Sequence, residues 1–283
     1  MRVLVTGAGG MLARALLAEL RRRDHEVVAL DRAALDVTDE GAVEARIQAE
    51  SPEVVVQCAA FTAVDAAEAE EPAAMRVNAD ATRYVARACQ RVGALLVYPS
   101  TDYVFSGSGD RPYRPSDPPA PVNAYGRTKL AGERAALEAA EALVVRTSWL
   151  YGAGGPNFID TISRLARERD RLEVVDDQVG RPTWTVSLAV TLTDLLEQRV
   201  AGTFHATDGG EPVSWFGVAR RILAERSLAT PIRPVGSAAF PRPARRPAYS
   251  VLDCLATEET IGRLLPDWGE MLARYLRSGD AGE

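Results

Sequence analysis

Tyr125 and Lys129 stand four apart in the run Tyr125-Gly126-Arg127-Thr128-Lys129, at the start of a predicted helix. Residues at that spacing share a helix face, so a phenol and an ammonium project together. Upstream, Thr101 lies between Ser100 and Asp102, just past a predicted strand. A hydroxyl, a phenol and an ammonium that converge suit reversible carbonyl reduction, because the developing alkoxide needs a proton and hydrogen-bond donors. In that chemistry Tyr125 gives the proton and Thr101 donates to the carbonyl oxygen. A free phenol titrates near pH 10, too high for efficient exchange at neutrality. A nearby ammonium favours the phenolate, and lowering the value by about three units corresponds to roughly 4 kcal/mol. Lys129, together with the positive ring of an oxidised nicotinamide, is the expected source.

A hydride donor must sit beside these groups, and the N-terminus offers a place for one. Thr6-Gly7-Ala8-Gly9-Gly10-Met11-Leu12-Ala13 separates a short apolar run from a helical pattern. Glycines there permit positive φ and let the backbone approach a pyrophosphate, and the helix N-terminus supplies free N–H groups. Asp31 ends the second predicted strand, where an acid takes ribose hydroxyls, whereas Arg32 beside it suits a 2′-phosphate. Asp36 and Val37 are placed to cap an adenine. Cys58-Ala59-Ala60 follows the third predicted strand, and its small residues let the backbone run beside a cofactor. The expected cofactor is NADPH, with NADH possible, and Lys129 would also bond its nicotinamide ribose.

The elements that must position these residues alternate. Strands are predicted at 2–6, 26–30, 53–57, 94–98 and 142–146, with helices between them that include 72–91 and 124–140. This order implies βαβ units and a parallel sheet covered on both faces. The fold class is therefore α/β, a Rossmann-type doubly wound sheet with a smaller C-terminal α/β substrate lobe. After about residue 150 the rhythm changes. Helices are predicted at 157–169, 185–199 and 214–226, short strands at 172–175 and 202–205, and a Pro/Arg-rich loop at 231–247. Residues 1–150 are expected to bind the dinucleotide and 151–283 mainly the substrate, with the chain crossing between lobes. Residues 278–283 are expected to be disordered.

The 283 residues carry a net charge of −6. Broad attraction to nucleic acid or to an anionic membrane is not expected. Cys58, Cys89 and Cys254 are widely spaced and form no CxxC pair, which suits a reducing compartment and argues against a metal site. The sequence opens on a strand-like run rather than a signal peptide, and no apolar run approaches membrane-spanning length. The expectation is a cytoplasmic protein that binds no metal, a monomer or homodimer acting on a small molecule.

The motifs together resemble the extended short-chain dehydrogenase/reductase superfamily, and within it the dTDP-4-dehydrorhamnose reductases. The matching runs are 6–12, 59–65, 77–78, 100–105 (STDYVF), 125–129, 146–151, 157–158, 177–183 (DQVGRPT) and 246–252, nearly the whole chain. The resemblance implies reduction of the C4 ketone of a dTDP-sugar. It implies that Asp102 and Trp149 meet the sugar, that Gly10, Met11 and Leu12 face the pyrophosphate, and that Ala59, Ala60 and Phe61 line the adenine and ribose. With it comes the expectation that Arg246, whose planar fork pairs two oxygens, and Asn157 hold the substrate diphosphate. Ala13 replaces a usual glycine, Cys58 a usual asparagine, and Phe61 a usual Tyr or His. The alternatives are a ketoreductase for another dTDP-deoxysugar and a non-catalytic regulatory subunit of the same fold.

Overall fold

The chain, in a computed structural model, is described over residues 1–278. The first strands are runs of valine and leucine: β1 (Arg2–Thr6), β2 (Glu26–Leu30) and β3 (Val54–Gln57). All four residues of β3 are buried, the pattern of a parallel strand covered on both faces. Helix α1 (Met11–Arg22) joins β1 to β2 and ends on Arg21 and Arg22, where cations suit the negative helix end. Helix α2 (Glu40–Glu50) starts on Asp39, whose carboxylate accepts from Ala42 N.

The single helix expected at 72–91 is broken. It comprises α4 (Glu71–Met75), a π turn (Arg76–Asp80) and α5 (Ala81–Val92), with the short α3 (Val64–Ala69) before them. Helix α5 ends at Gly93, whose φ of +72° is the left-handed stop that glycine accepts without strain. Then come β4 (Leu95–Thr101), a 3-10 turn (Asp102–Val104), α6 (Ala124–Ala136) and β5 (Ala142–Thr147).

The later chain holds β6 (Leu150–Tyr151), α7 (Phe158–Glu168), β7 (Leu172–Val175), β8 (Val179–Gly180), β9 (Thr183–Trp184) and α8 (Thr185–Glu197). It continues with β10 (Gly202–His205), β11 (Val213–Ser214), α9 (Trp215–Glu225), β12 (Ile232–Val235), α10 (Leu255–Ile261) and α11 (Trp268–Arg277). The central sheet is parallel, in the order β10-β5-β4-β3-β1-β2. Segment 202–205 therefore belongs to the main sheet, not to the smaller lobe: Gly202 pairs with Leu143 and His205 with Arg146. The expected disorder at 278–283 lies, beyond Ser278, outside the described residues.

Two apolar layers clamp this sheet. Leu16 and Leu20 of α1 meet Leu188, Leu192 and Leu195 of α8 on one face. Ile47 of α2 and Val85 and Cys89 of α5 cover the other. Each such buried side chain contributes roughly 1.5–3 kcal/mol, so the sheet is a firm platform. A separate cluster joins Ile159, Trp184, Ile222, Leu272 and Tyr275 from the later elements. In a sheet of this order, β1 and β3 lie where the strand direction of growth reverses, and ligands bind in the crevice at their carboxyl ends.

Candidate active site

Carboxyl ends of four neighbouring strands bring the predicted Thr101 of β4 to one edge with Thr6 of β1, Gln57 of β3 and Thr147 of β5. Thr6 Oγ1 donates to Gln57 Oε1 at 2.8 Å and accepts from Ala59 N at 3.2 Å, locking the first turn to the third. Gly7 has φ +62°, and a Cβ there would lie 2.6 Å from Ala59 N. Only glycine fits that approach. A Cβ on Gly9 would meet nothing within 4 Å, so the turn opens outward. Gly10 precedes α1 with no side-chain cap, and α1 has no acid in its first turn. Its first N–H groups, near Met11 and Leu12, are thus uncommitted and suit an anion. These features fit the dinucleotide that the turn implies.

Around this groove, Asp31 Oδ1 accepts from Ala33 N and Ala34 N, and Arg32 is exposed. Asp36 accepts from the Thr38 hydroxyl and N–H, which hold its carboxyl below the usual range. Val37 is buried, packed with Leu30 and Leu35. Phe61 is fixed through its backbone: its N–H donates to Asn78 Oδ1 at 2.8 Å and its carbonyl accepts from Asn78 Nδ2 at 3.1 Å. Asn78 Nδ2 also donates to Thr128 Oγ1 of α6 at 2.9 Å. Asn78 sits in the π turn, so the break in that helix positions the Phe61 segment and the Tyr125 helix at once. Ala60 lies between the anchored Ala59 and Phe61.

Helix α6 carries Tyr125 and Lys129 on one face. Asn123 caps it, accepting from Gly126 N at 2.8 Å, and donates to Arg245 O at 2.8 Å. The helix lies close against its neighbours: a Cβ on Gly126 would sit 2.2 Å from Tyr103 O, and one on Gly132 2.1 Å from Asn78 O. Lys129 is 3 % exposed. Its ammonium donates to Pro99 O at 2.8 Å and lies 3.9 Å from the Tyr98 ring centroid. Burial pushes it down to about 7, despite the pull of Glu133 and Cys58. Tyr125 is half-buried, edge-on to Tyr103 at 5.8 Å. Burial and then the Asp102 charge push its phenol up, and the Thr101 hydroxyl offsets this in part. The expected lowering of this phenol by Lys129 is thus not what the structure shows. A lysine that titrates near 7 is only partly charged at neutrality.

Thr101 Oγ1 donates to Asp102 Oδ1 at 3.0 Å and accepts from Tyr103 N at 3.2 Å. Asp102 is buried, which raises its carboxyl to about 7 against the pull of the Ser250 and Thr101 hydroxyls. Its Oδ2 has no hydrogen-bond partner. Behind β4, Glu133 accepts from Ser100 Oγ at 2.5 Å and from Arg146 Nη2 at 2.8 Å, a buried pair that ties α6 to β4 and β5. Cys58 is half-buried, and burial pushes its thiol up to about 12, too high for a nucleophile.

Trp149 follows β5 in the left-handed region, with φ +49°. Its ring stacks on Trp215 at 3.6 Å and 8°, and Trp215 meets Phe158 at 4.4 Å. Backbone strain of this kind at a non-glycine residue clusters at functional sites. Two expected substrate contacts are committed elsewhere. Asn157 caps α7: its Oδ1 accepts from Asp160 N, and its Nδ2 donates to Gly152 O and Asp160 Oδ2. It serves the helix, and its amide has no spare hydrogen for a diphosphate. Arg246 is not free either. It forms a fork on Asp65, at 2.8 and 3.0 Å, and donates to Ala244 O. Burial alone would raise Asp65, but Arg246 outweighs it and holds the carboxyl low.

Asn78 is marked only by its place in the matching run 77–78, and the role of Trp215 has no signal in the sequence. Asn123 has one, since an Asn just before a helical run is a cap.

The family described as RmlD substrate binding domain matches residues 1–280. The chain belongs to that family. A dTDP-4-dehydrorhamnose reductase of Streptomyces griseus is 50 % identical over 262 residues, covering 89 % of this chain and 85 % of the relative. A dTDP-4-keto-6-deoxy-D-glucose reductase of Streptomyces niveus is 45 % identical, covering 89 % and 88 %. The crystal structure of dTDP-4-dehydrorhamnose reductase from Bacillus anthracis in complex with NADP is 39 % identical. It superposes with a TM-score of 0.93 over 97 % of this chain and 98 % of that one. In this member of the RmlD family the glycine turn, Thr101, Tyr125 and Lys129 share one edge of the sheet.

Proposed function

We propose that this chain reduces the C4 ketone of dTDP-4-dehydro-β-L-rhamnose to dTDP-β-L-rhamnose, with NADPH as cofactor and NADH as a possible substitute. The observation that carries the reading is the placement of Thr101, Tyr125 and Lys129 on the sheet edge that also presents the uncapped start of α1. The turn at Gly7–Gly10 and the α1 N-terminus would hold the pyrophosphate, and Ala59–Phe61 with Asp31, Arg32, Asp36 and Val37 the adenosine half. When bound, the reduced nicotinamide supplies hydride to the carbonyl carbon.

The chain's own groups do the rest. Thr101 Oγ1 donates to the carbonyl oxygen, and Tyr125 Oη hands over its proton as negative charge develops there. Lys129 is held by Pro99 O and the Tyr98 ring beside this point. Its ammonium regains full charge when an anionic or hydroxyl-rich ligand faces it, and it then favours the phenolate that Tyr125 leaves. Trp149, set by the Trp215 stack, faces the sugar, and the buried Asp102 is bonded to Thr101. Arg246 meets the diphosphate after parting from Asp65. The first part of the chain, through about residue 150, binds the dinucleotide, and the elements of the later cluster bind the nucleotide sugar, with α8 and β10 returning to the sheet. Among the described residues no helix is long and apolar enough to cross a membrane, and three free cysteines suit the cytoplasm.

The Streptomyces niveus relative favours a second reading, in which the unepimerised 4-keto-6-deoxy-D-glucose nucleotide is the substrate. NADPH oxidation with dTDP-4-dehydro-6-deoxy-D-glucose, with and without a 3,5-epimerase, separates the two. Turnover that needs the epimerase and yields dTDP-rhamnose supports the first reading. Turnover without it supports the second. Absence of oxidation in both overturns both.

A further inference from the structure

A hydroxyl has one hydrogen to donate. Thr101 gives its hydrogen to Asp102 Oδ1, and one of its two lone pairs accepts from Tyr103 N. In this arrangement Thr101 has nothing to offer a substrate carbonyl. The side chain that blocks it is 2 % exposed and carries a second oxygen, Oδ2, with no hydrogen-bond partner. A buried carboxylate with an unpartnered oxygen is a costly species, and a proton on the group lowers the cost by removing the charge.

We propose that Asp102 is a positioning residue whose proton switches Thr101 from acceptor-bound to substrate-facing: protonated Asp102 donates to Thr101 Oγ1, and the hydrogen of Thr101 turns to the carbonyl oxygen. The inference rests on the reductase reading above. The hydrogen count balances, because the carboxylic acid supplies one donor in place of the one that Thr101 withdraws. The same proton has a second effect. The groups that face Asp102 are the Tyr125 phenol on α6, the Tyr103 phenol on its own turn and the Ser250 hydroxyl of the returning chain. The Asp102 charge raises both phenols, so neutral Asp102 also lets Tyr125 release its proton more readily. Lys129 faces Glu133 and Cys58 instead, and Arg246 faces Asp65. Burial raises Asp102 to about 7, so the switch would work near neutrality.

The test is the pH dependence of kcat/KM for the nucleotide sugar at saturating NADPH, in the wild type, Asp102→Asn and Thr101→Val. A group that must be protonated costs about tenfold in rate per pH unit above its pKa. Asn donates to Thr101 at every pH, so Asp102→Asn should lose one such tenfold-per-unit step on the alkaline side. Any step due to Lys129 stays. Thr101→Val should lose the same step and be slow throughout, and the double variant should be no slower than Thr101→Val. An alkaline limb in Asp102→Asn as steep as in the wild type overturns the proposal. So does an Asp102→Asn protein that binds NADPH, by fluorescence, yet turns over at no pH, since ionised Asp102 would then be required. An inactive wild type would instead sink the reductase reading itself.

Discussion

At the scale of single residues, the site is built from groups held in unfavourable states. Lys129 is the clearest. Sequence spacing puts it beside Tyr125, and the structure adds that burial lowers it to about 7. In the unfolded chain a lysine titrates near 10.4. Between about pH 7 and that value the folded protein therefore binds fewer protons than the unfolded one, and unfolding free energy should rise with pH through this window. Lys129→Met keeps the apolar stem and removes the buried charge. At pH 7 the cofactor-free variant should be more stable than the wild type by about 1–3 kcal/mol, with a flatter pH 7–10 profile, and should lose turnover. Urea melts at pH 7 and 9.5 would check this, and a less stable variant at both would refute it. Tyr125 and Lys129 are legible because their spacing is tied to helix geometry, and Thr101 because it follows a predicted strand. Their protonation states are not, since those depend on how deeply α6 is buried against β4, which no local pattern encodes.

Elements position these groups through close backbone contact rather than through side-chain bulk. Helix α6 can hold Tyr125 against Thr101 because Gly126 lies on the Tyr103 carbonyl and Gly132 on Asn78. Gly126→Ala would put a Cβ 2.2 Å from Tyr103 O and 3.0 Å from Pro121 Cβ. Overpacking of this kind costs about 1–3 kcal/mol, and a shift of the first turn moves Tyr125, where a misplacement near 1 Å costs about 100-fold. Gly93→Ala is the contrast: it has open space, and only its φ of +72° resists a side chain. It should destabilise by about 1 kcal/mol and leave kcat/KM unchanged. Equal losses of kcat/KM in the two variants would show that α6 is not held by this contact. The five leading strands are readable from their valine-rich runs. The sixth, Gly202–His205, reads as part of the smaller lobe because four residues carry no mark of their partner strand. The π turn at Arg76–Asp80 is equally hidden, since Asn78 owes its place to Phe61 and Thr128, 17 and 50 residues away.

Across the whole molecule, segments far apart in sequence must agree on one cleft. The fork between Arg246 and Asp65 spans 181 residues and ties the returning chain to α3. The family resemblance singles out Arg246 as a phosphate-binding residue, but no local pattern reveals that an aspartate already occupies its fork. Two carboxylate oxygens and two diphosphate oxygens compete for the same planar donors. If the substrate diphosphate takes Arg246, Asp65 is its competitor, and the two residues should move substrate binding in opposite directions. Arg246→Ala removes charge-assisted hydrogen bonds of roughly 1.5–3 kcal/mol, so KM for the nucleotide sugar should rise by about 10- to 100-fold. Asp65→Asn weakens the competing partner, so KM should fall. NADPH affinity should stay constant in both, because the proposed pyrophosphate site is at the start of α1. A purely structural tether would behave differently: both variants would then lower the melting temperature together and shift KM in the same sense or not at all. Steady-state kinetics on the pair, with melting curves beside them, therefore separates a phosphate clamp held in reserve from a strut between two parts of the fold.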